Sequence, residues 1–130
     1  MKKLMFGMIF LLASASVGAE WARIDSPSDG EFALFADKAT KERNGDYVKM
    51  WDLMNFGNAK KIAGVTAMSS KRFSEYDCKK SKMKVLGFSM YSNKMASGSI
   101  VFSNYDAQQW EEILKGKIGD FLWKEACRKK

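Results

Sequence analysis

Apolar and polar positions alternate along most of the chain up to residue 105, and this period of two predicts β-strands. The clearest case is the stretch 47–56, where Val48 and Met50 share one parity while Trp51 and Leu53 share the other. Since both parities carry apolar side chains, we expect both faces of this strand to be at least partly covered. Turn-forming residues at 26–30 and 44–45 separate neighbouring segments. The pattern predicts about six strands, at residues 21–24, 32–36, 47–56, 62–78, 85–91 and 99–105.

The period changes near the end of the chain. Ile118, Leu122 and Ala126 recur at helical spacing, which predicts an amphipathic helix over residues 118–128. The basic residues 128–130 follow, where the negative end of a helix dipole favours positive charge. Strands followed by one helix predict an α+β fold, an antiparallel sheet with the C-terminal helix packed on one face.

Residues 1–19 have the composition of a secretory signal peptide. Lys2 and Lys3 precede an apolar stretch at 4–13, and small residues at 17–19 predict cleavage after Ala19. The stretch is shorter than the roughly twenty apolar residues that span a bilayer, so we expect no transmembrane anchor; an uncleaved anchor or a buried N-terminal helix is the alternative. Residues 20–130 then form a single exported domain.

Positive charge exceeds negative charge in the exported part. The chain has 22 Lys and Arg against 15 Asp and Glu, and loss of Lys2 and Lys3 leaves a net charge of about +5. Lys79, Lys80, Lys82 and Lys84 crowd around a predicted turn and are the candidate partner-binding residues. Such a tip suits lipid head groups, glycans or acidic protein segments, and an ordinary solvated loop is the alternative. Nucleic acid also fits the charge, but the predicted compartment argues against it.

Two cysteines remain after cleavage, Cys78 and Cys127. In an oxidising compartment their simplest use is one intramolecular disulfide, which would attach the helix to the sheet. A redox-active pair is the alternative, but the two residues lack the Cys-x-x-Cys spacing of such sites.

The composition argues against enzyme activity. The chain contains no histidine, which removes the usual general base and the commonest transition-metal ligand. Glu111 and Glu112 are adjacent and would point in different directions, and no glycine-rich phosphate loop or acidic calcium loop is present. We therefore expect no catalytic, cofactor-binding or metal-binding residues. The four tryptophans are expected to lie mostly in the core, with a stacking platform as the alternative; they are Trp21, Trp51, Trp110 and Trp123.

A set of short motifs, in a characteristic order, spans nearly the whole exported part. They are Trp21, Phe35-Ala36-Asp37, Asn44-Gly45, Met50-Trp51-Asp52-Leu53, Ser70-Lys71, Glu75-Tyr76-Asp77-Cys78, Tyr91-Ser92, Met95-Ala96-Ser97-Gly98, Trp110, Leu122-Trp123 and Cys127. Together they resemble the surface-adhesin protein E family of Gram-negative bacteria.

The resemblance implies a six-stranded antiparallel sheet, a C-terminal helix tethered by the cysteine pair, and a location outside the cytoplasm. It also implies binding to host matrix proteins, and it includes a homodimer among the expected states of the protein. The adhesin that names the family is lipid-anchored, and residues 1–19 contain no cysteine for an anchor, so we expect a periplasmic protein, with the medium or cell surface as alternatives. The expected function is a non-catalytic binding module for adhesion or envelope protein interactions. The alternative is a periplasmic small-molecule carrier or an enzyme of unrecognised type, which would need a deep pocket.

Overall fold

A computed structural model describes residues 20–24, 32–62 and 64–129. The predicted signal peptide and its cleavage site, and the predicted turn at 26–30, lie outside these residues. Six antiparallel strands in the described part form one sheet in sequence order, and a two-residue seventh strand pairs with the fifth. The elements are β1 Trp21–Ile24, β2 Phe32–Asn44, β3 Tyr47–Ile62, β4 Val65–Asp77, β5 Lys82–Asn93, β6 Ser97–Asn104, β7 Glu111–Glu112 and α1 Ile118–Cys127.

The α+β prediction is confirmed, since α1 packs on one face of this sheet. We call this side the helix face and the opposite side the open face. Leu122 and Ala126 of α1 are fully buried in the core under the helix. On the sheet, the residues under the helix are the apolar ones that share a face with Val48 and Met50. Residues two apart along a strand point to the same face. The buried core cluster is Ile24, Leu34, Ala36, Val48, Met50, Tyr76, Met83, Leu122 and Ala126.

β2, β3 and β5 are longer than the apolar pattern predicts, whereas β1 has its predicted bounds and β4 is shorter than the predicted 62–78. β2 shows why a strand can exceed its apolar segment. Its second half is polar, yet it continues to Asn44 and pairs with the start of β3 across the Asn44–Gly45 turn. Lys41 Nζ donates to the carbonyl oxygen of Glu125 at 3.0 Å, and Arg43 Nη2 donates to that of Cys127 at 3.3 Å. The last carbonyls of a helix have no partner within the helix. The polar half of β2 therefore supplies donors to the C-terminal end of α1.

Register shifts fall at places that the sequence does not indicate. Between the pairs Asn55–Ser69 and Lys60–Ala67, four residues of β3 stand against one of β4. A second shift lies between Phe73 and Ser74 where β4 pairs with β5. Ser69 borders the first of these shifts, because its pair with Asn55 is the last before the register changes.

The predicted disulfide is confirmed. Cys78 follows β4 directly and Cys127 ends α1, and their Cα atoms lie 5.6 Å apart with their sulfur atoms bonded. The bond joins positions 49 residues apart in the chain. It fixes the end of the helix to the β4–β5 end of the sheet.

Candidate functional site

The predicted lysine cluster lies at the turn between β4 and β5. The buried side chain of Asp77 organises this turn, because its Oδ1 accepts the backbone N–H groups of Lys79 and Lys80, each at 3.0 Å. Asp is favoured in turns for this kind of bond to its own backbone. Lys79 and Lys80 are exposed, so the turn projects two of the four lysines into solvent.

The structure places the four lysines in two groups. Lys79 lines a depression beside the disulfide. Lys82 and Lys84 belong to β5 and share its open face, since they are two residues apart. Lys84 Nζ lies 5.1 Å from the centroid of the Trp110 ring, a cation–π arrangement. Glu75 on β4 is the direct strand neighbour of Lys84. The four residues therefore do not converge on one point.

The depression beside the disulfide, which we call the basic groove, has a volume of about 1120 Å³. Five of the described residues that line it are cationic and one, Asp46, is acidic. Spacing along the chain does not reveal this convergence, because the groove combines the β2–β3 turn, the β4–β5 turn and the end of α1. The described lining residues are Arg43, Gly45, Asp46, Cys78, Lys79, Trp123, Lys124, Cys127, Arg128 and Lys129.

Aromatic rings lie across the open face of the sheet. Trp51 of β3 packs against its direct neighbour Phe73 of β4, with 4.8 Å between ring centroids, and Lys71 Nζ lies 4.8 Å from the Trp51 ring. The next position in this row is Gly87 of β5, where an added Cβ would overlap the Tyr105 ring. Glycine here makes room for Tyr105, which is half exposed. The row of three rings is a candidate stacking surface.

The four tryptophans therefore differ in role. Trp123 packs against the core, and its Nε1 donates to the carbonyl oxygen of Asp77 at 2.9 Å. Trp110 is exposed and packs against Tyr47, with ring centroids 5.9 Å apart. Trp21 and Trp51 are half-buried. Trp123 packs against the core, as expected of the tryptophans, whereas Trp51 and Trp110 contribute to the open face.

A second cavity lies on the helix face, beyond the part that α1 covers. We call it the Arg72 cleft; its volume is about 470 Å³. Its floor is formed by two rows of strand neighbours, Met54–Ser70–Met90 and Arg72–Phe88. The described lining residues are Met54, Phe56, Lys60, Ser70, Arg72, Val85, Phe88, Met90 and Gln108.

The half-buried Arg72 forms an ion pair with the buried Asp52 on the neighbouring strand. Arg72 Nε donates to Asp52 Oδ2 at 3.1 Å, while Asp52 Oδ1 is buried and has no hydrogen-bond partner within the described residues. Burial raises the pKa of Asp52 above its ordinary value, and the adjacent guanidinium opposes this shift. Burial also raises the pKa of the neighbouring Tyr76, and the Asp52 carboxylate adds to the shift. Asp52 and Arg72 form a polar boundary between the core under α1 and the cleft.

The chemistry of these surfaces is suited to binding. Within residues 20–24, 32–62 and 64–129, no three His, Cys, Asp or Glu side chains are grouped so that they could hold a metal ion. Both cysteines are in the disulfide, and Glu111 and Glu112 are exposed on β7. In the same described ranges, no helix is long and apolar enough to cross a membrane. What the sites offer is positive charge, aromatic surface and one cleft with mixed lining.

Comparison with known proteins gives a consistent assignment. Crystal form II of Haemophilus influenzae protein E superposes with a TM-score of 0.66 at 10% sequence identity, covering 92% of this chain and 96% of that chain. The crystal structure of protein E from non-typeable Haemophilus influenzae gives 0.58 at 8% identity, covering 90% and 80%. At such low identity these superpositions show a shared fold. No curated protein sequence matches the chain significantly. The family model described as surface-adhesin protein E matches residues 21–128, and the chain therefore belongs to the surface-adhesin protein E family.

Proposed function

We propose that this protein is an exported, non-catalytic binding module that holds an acidic partner at the basic end of the sheet. The observation that carries the proposal is the basic groove, in which five cationic residues and one acidic residue line a single depression. Lys80 extends the same positive surface at the adjacent turn. A concave surface of one charge attracts ligands of the opposite charge and speeds their association.

The disulfide supports this role because both of its cysteines line the groove. Cys78 precedes Lys79 and Cys127 precedes Arg128, so the covalent bond holds two cationic walls at a fixed separation. Arg43 is held by its bond to the carbonyl oxygen of Cys127. A preorganised surface loses less conformational entropy when a partner binds.

The partner class follows from the charge and from the family. Acidic segments of proteins fit a groove of this size and sign, and adhesion to host matrix proteins is the specific role that the family suggests. The predicted signal peptide indicates that the protein acts in the periplasm, in the medium or at the cell surface. The open-face aromatic row would add stacking contacts to a partner that extends past Lys84.

The test uses a fluorescein-labelled poly-glutamate peptide, measured by fluorescence anisotropy, and a solid-phase panel of host matrix proteins. Changing Lys79, Lys80, Lys82 and Lys84 to Gln should weaken binding at least tenfold. Binding should also weaken as salt rises, because charges are screened over about 8 Å in physiological salt. The charge-matched control changes the exposed residues Lys61, Lys94, Lys115 and Lys117 to Gln and should keep the affinity.

Two double variants locate the partner. Lys79→Gln with Lys129→Gln removes charge from the basic groove, and Lys82→Gln with Lys84→Gln removes charge from the open face. The proposal expects the larger loss from the groove pair. Equal losses in the quadruple variant and its control, or binding that is indifferent to salt, would contradict it.

A further inference from the structure

The Arg72 cleft is separate from the basic groove, since none of its described lining residues is shared with that groove. Residues from α1 do not appear among its described lining residues, which come from β3, β4 and β5 and from the segment after β6. It thus lies on the part of the helix face that the helix leaves open. Its volume of about 470 Å³ is within the roughly 300–1,000 Å³ of typical small-molecule sites.

The walls of the cleft are mainly apolar. Met54 and Met90 flank Ser70 on the neighbouring strands, and Phe88 lies beside Arg72. Phe56 is buried, whereas Met54, Phe88 and Met90 are only half-buried. Methionine adapts its shape to varied ligands. This part of the cleft suits an aliphatic chain or a flat ring.

The charged residues that line the cleft are cationic, and Glu111, outside this lining, is an acidic neighbour of Arg72. Lys60 and Arg72 are its two charged lining residues in the described part of the chain. The register shift of β3 ends at Lys60. The hydrogen bond from Arg72 to Asp52 uses Nε, so the two Nη groups are the candidate donors toward a ligand. A guanidinium binds a carboxylate with two parallel hydrogen bonds when such donors are available.

Asp52 gives Arg72 a fixed position. The Asp52 side chain is almost completely buried and lies in the row of strand neighbours that includes Arg72 and Phe88. Holding Nε from the protein side restricts the guanidinium and reduces the entropy that a ligand must remove on binding. The same arrangement adds specificity, because a neutral ligand gives the Arg72 guanidinium no new charged partner.

We propose that the Arg72 cleft binds a small amphipathic carboxylate. The apolar part lies on Met54, Phe88 and Met90, and the carboxylate pairs with Arg72 and Lys60. Ser70 and Gln108 stand at the same cleft as further hydrogen-bonding groups. Fatty acids and aromatic acids both combine an apolar part with a carboxylate. The affinities measured for one acid of each kind distinguish the two sources.

The test is isothermal titration calorimetry of the oxidised exported domain with decanoate and with phenylbutyrate, below micelle-forming concentrations. Decanol and decyltrimethylammonium serve as neutral and cationic controls. We expect a carboxylate to bind at least tenfold more tightly than decanol, and the cation to show no binding at the cleft. Preference between the two acids assigns the aliphatic or the aromatic source. Equal affinity for decanoate and decanol, or no binding by either acid, overturns the proposal.

Variants locate the site. Met90→Trp fills the cleft and should abolish binding, while Lys60→Gln should weaken it several-fold. Lys61→Gln removes the same charge from the next residue, which does not line the cleft, and should leave affinity unchanged. Equal losses in the two lysine variants, or full binding by Met90→Trp, overturn the proposal.

Arg72 needs a paired substitution because its removal alone leaves Asp52 buried without its partner. The double variant Asp52→Asn with Arg72→Gln removes both charges and should lose the preference for decanoate over decanol. Amide proton–nitrogen spectra verify that each variant is folded. If the double variant unfolds, the Lys60 and Met90 variants still decide the outcome.

Discussion

At the scale of single residues, two buried aspartates are held in different ways. Asp120 near the start of α1 accepts the backbone N–H of Gly116 at 2.9 Å and pairs with Lys124 at 3.3 Å. The hydrogen bond from Gly116 is the main cause that lowers the pKa of Asp120, and Lys124 adds to it. Asp52 has one bonded oxygen and one without a partner in the described part of the chain, and burial raises its pKa. The surroundings of Asp120 favour its ionised form, whereas burial disfavours the ionised form of Asp52.

The lowered pKa of Asp120 predicts a specific pH dependence. The ordinary value is 3.8, and between the lower folded pKa and 3.8 the unfolded chain binds more protons. Stability from this group is therefore present above pH 3.8 and is lost as the pH falls through the folded pKa. In urea unfolding from pH 2 to pH 7, Asp120→Asn should be less stable than the unmodified protein near neutrality, with a difference that shrinks in acid.

The control for this experiment is Asp106→Asn, which changes an exposed aspartate. It should leave the unfolding free energy almost unchanged at every pH. A difference for Asp120→Asn that stays constant from pH 7 to pH 2 would mean that the carboxylate charge is not what stabilises the helix start.

At the scale of elements, β2 and α1 depend on each other. The polar half of β2 contributes Lys41, whose Nζ contacts the carbonyl oxygens of Glu125 and Arg128. Lys38 adds an ion pair to the Glu125 side chain at 3.5 Å. Burial is the main cause that lowers the pKa of Lys41, and the Glu125 charge opposes this shift. The polar half of β2 is thus stabilised by its contacts with the end of the helix.

Lys41→Met should destabilise the last turn of α1. It keeps most of the aliphatic stem and removes the donor, so we expect a loss of about 1 kcal/mol, typical of a single net hydrogen bond. Hydrogen exchange should become faster at the backbone amides of the last helical turn. The matched control Lys94→Met acts on an exposed lysine and should change neither quantity. Equal exchange rates in the two variants would show that Lys41 does not stabilise the helix end.

At the scale of the whole molecule, the disulfide joins the β4–β5 end of the sheet to the end of the chain. It links positions 49 residues apart, and it lies in the lining of the basic groove. A covalent link across a long loop reduces the entropy of the unfolded chain. The same bond therefore serves the stability of the fold and the shape of the proposed binding surface.

Replacing both cysteines, Cys78→Ser with Cys127→Ser, should lower the free energy of unfolding by up to about 4 kcal/mol in the chain-entropy description. Thermal unfolding of the unmodified protein in reductant should approach that of the double variant, and reductant should have no effect on the variant itself. Unfolding temperatures that do not differ between the oxidised protein and the double variant would show that the bond adds no stability.

The sequence by itself determined the fold class, the helix and the disulfide, because each depends on local period or on residue identity. Alternation gave the positions of the strands, helical spacing gave α1 to within one residue at its end, and two cysteines could pair in only one intramolecular way. The long polar half of β2 and the short β7 lack an apolar pattern, so local reasoning could not predict them.

Only the tertiary structure decided where the binding surfaces lie. The basic groove brings Arg43, Lys79 and Arg128 together from three distant parts of the chain. The Arg72 cleft combines residues of β3, β4 and β5 with Gln108, and no α1 residue is among its described lining residues. The lysine cluster was visible in the sequence, but strand alternation separates its members between the turn and the open face. Proximity across strands depends on register and twist, which residue spacing along one segment does not specify.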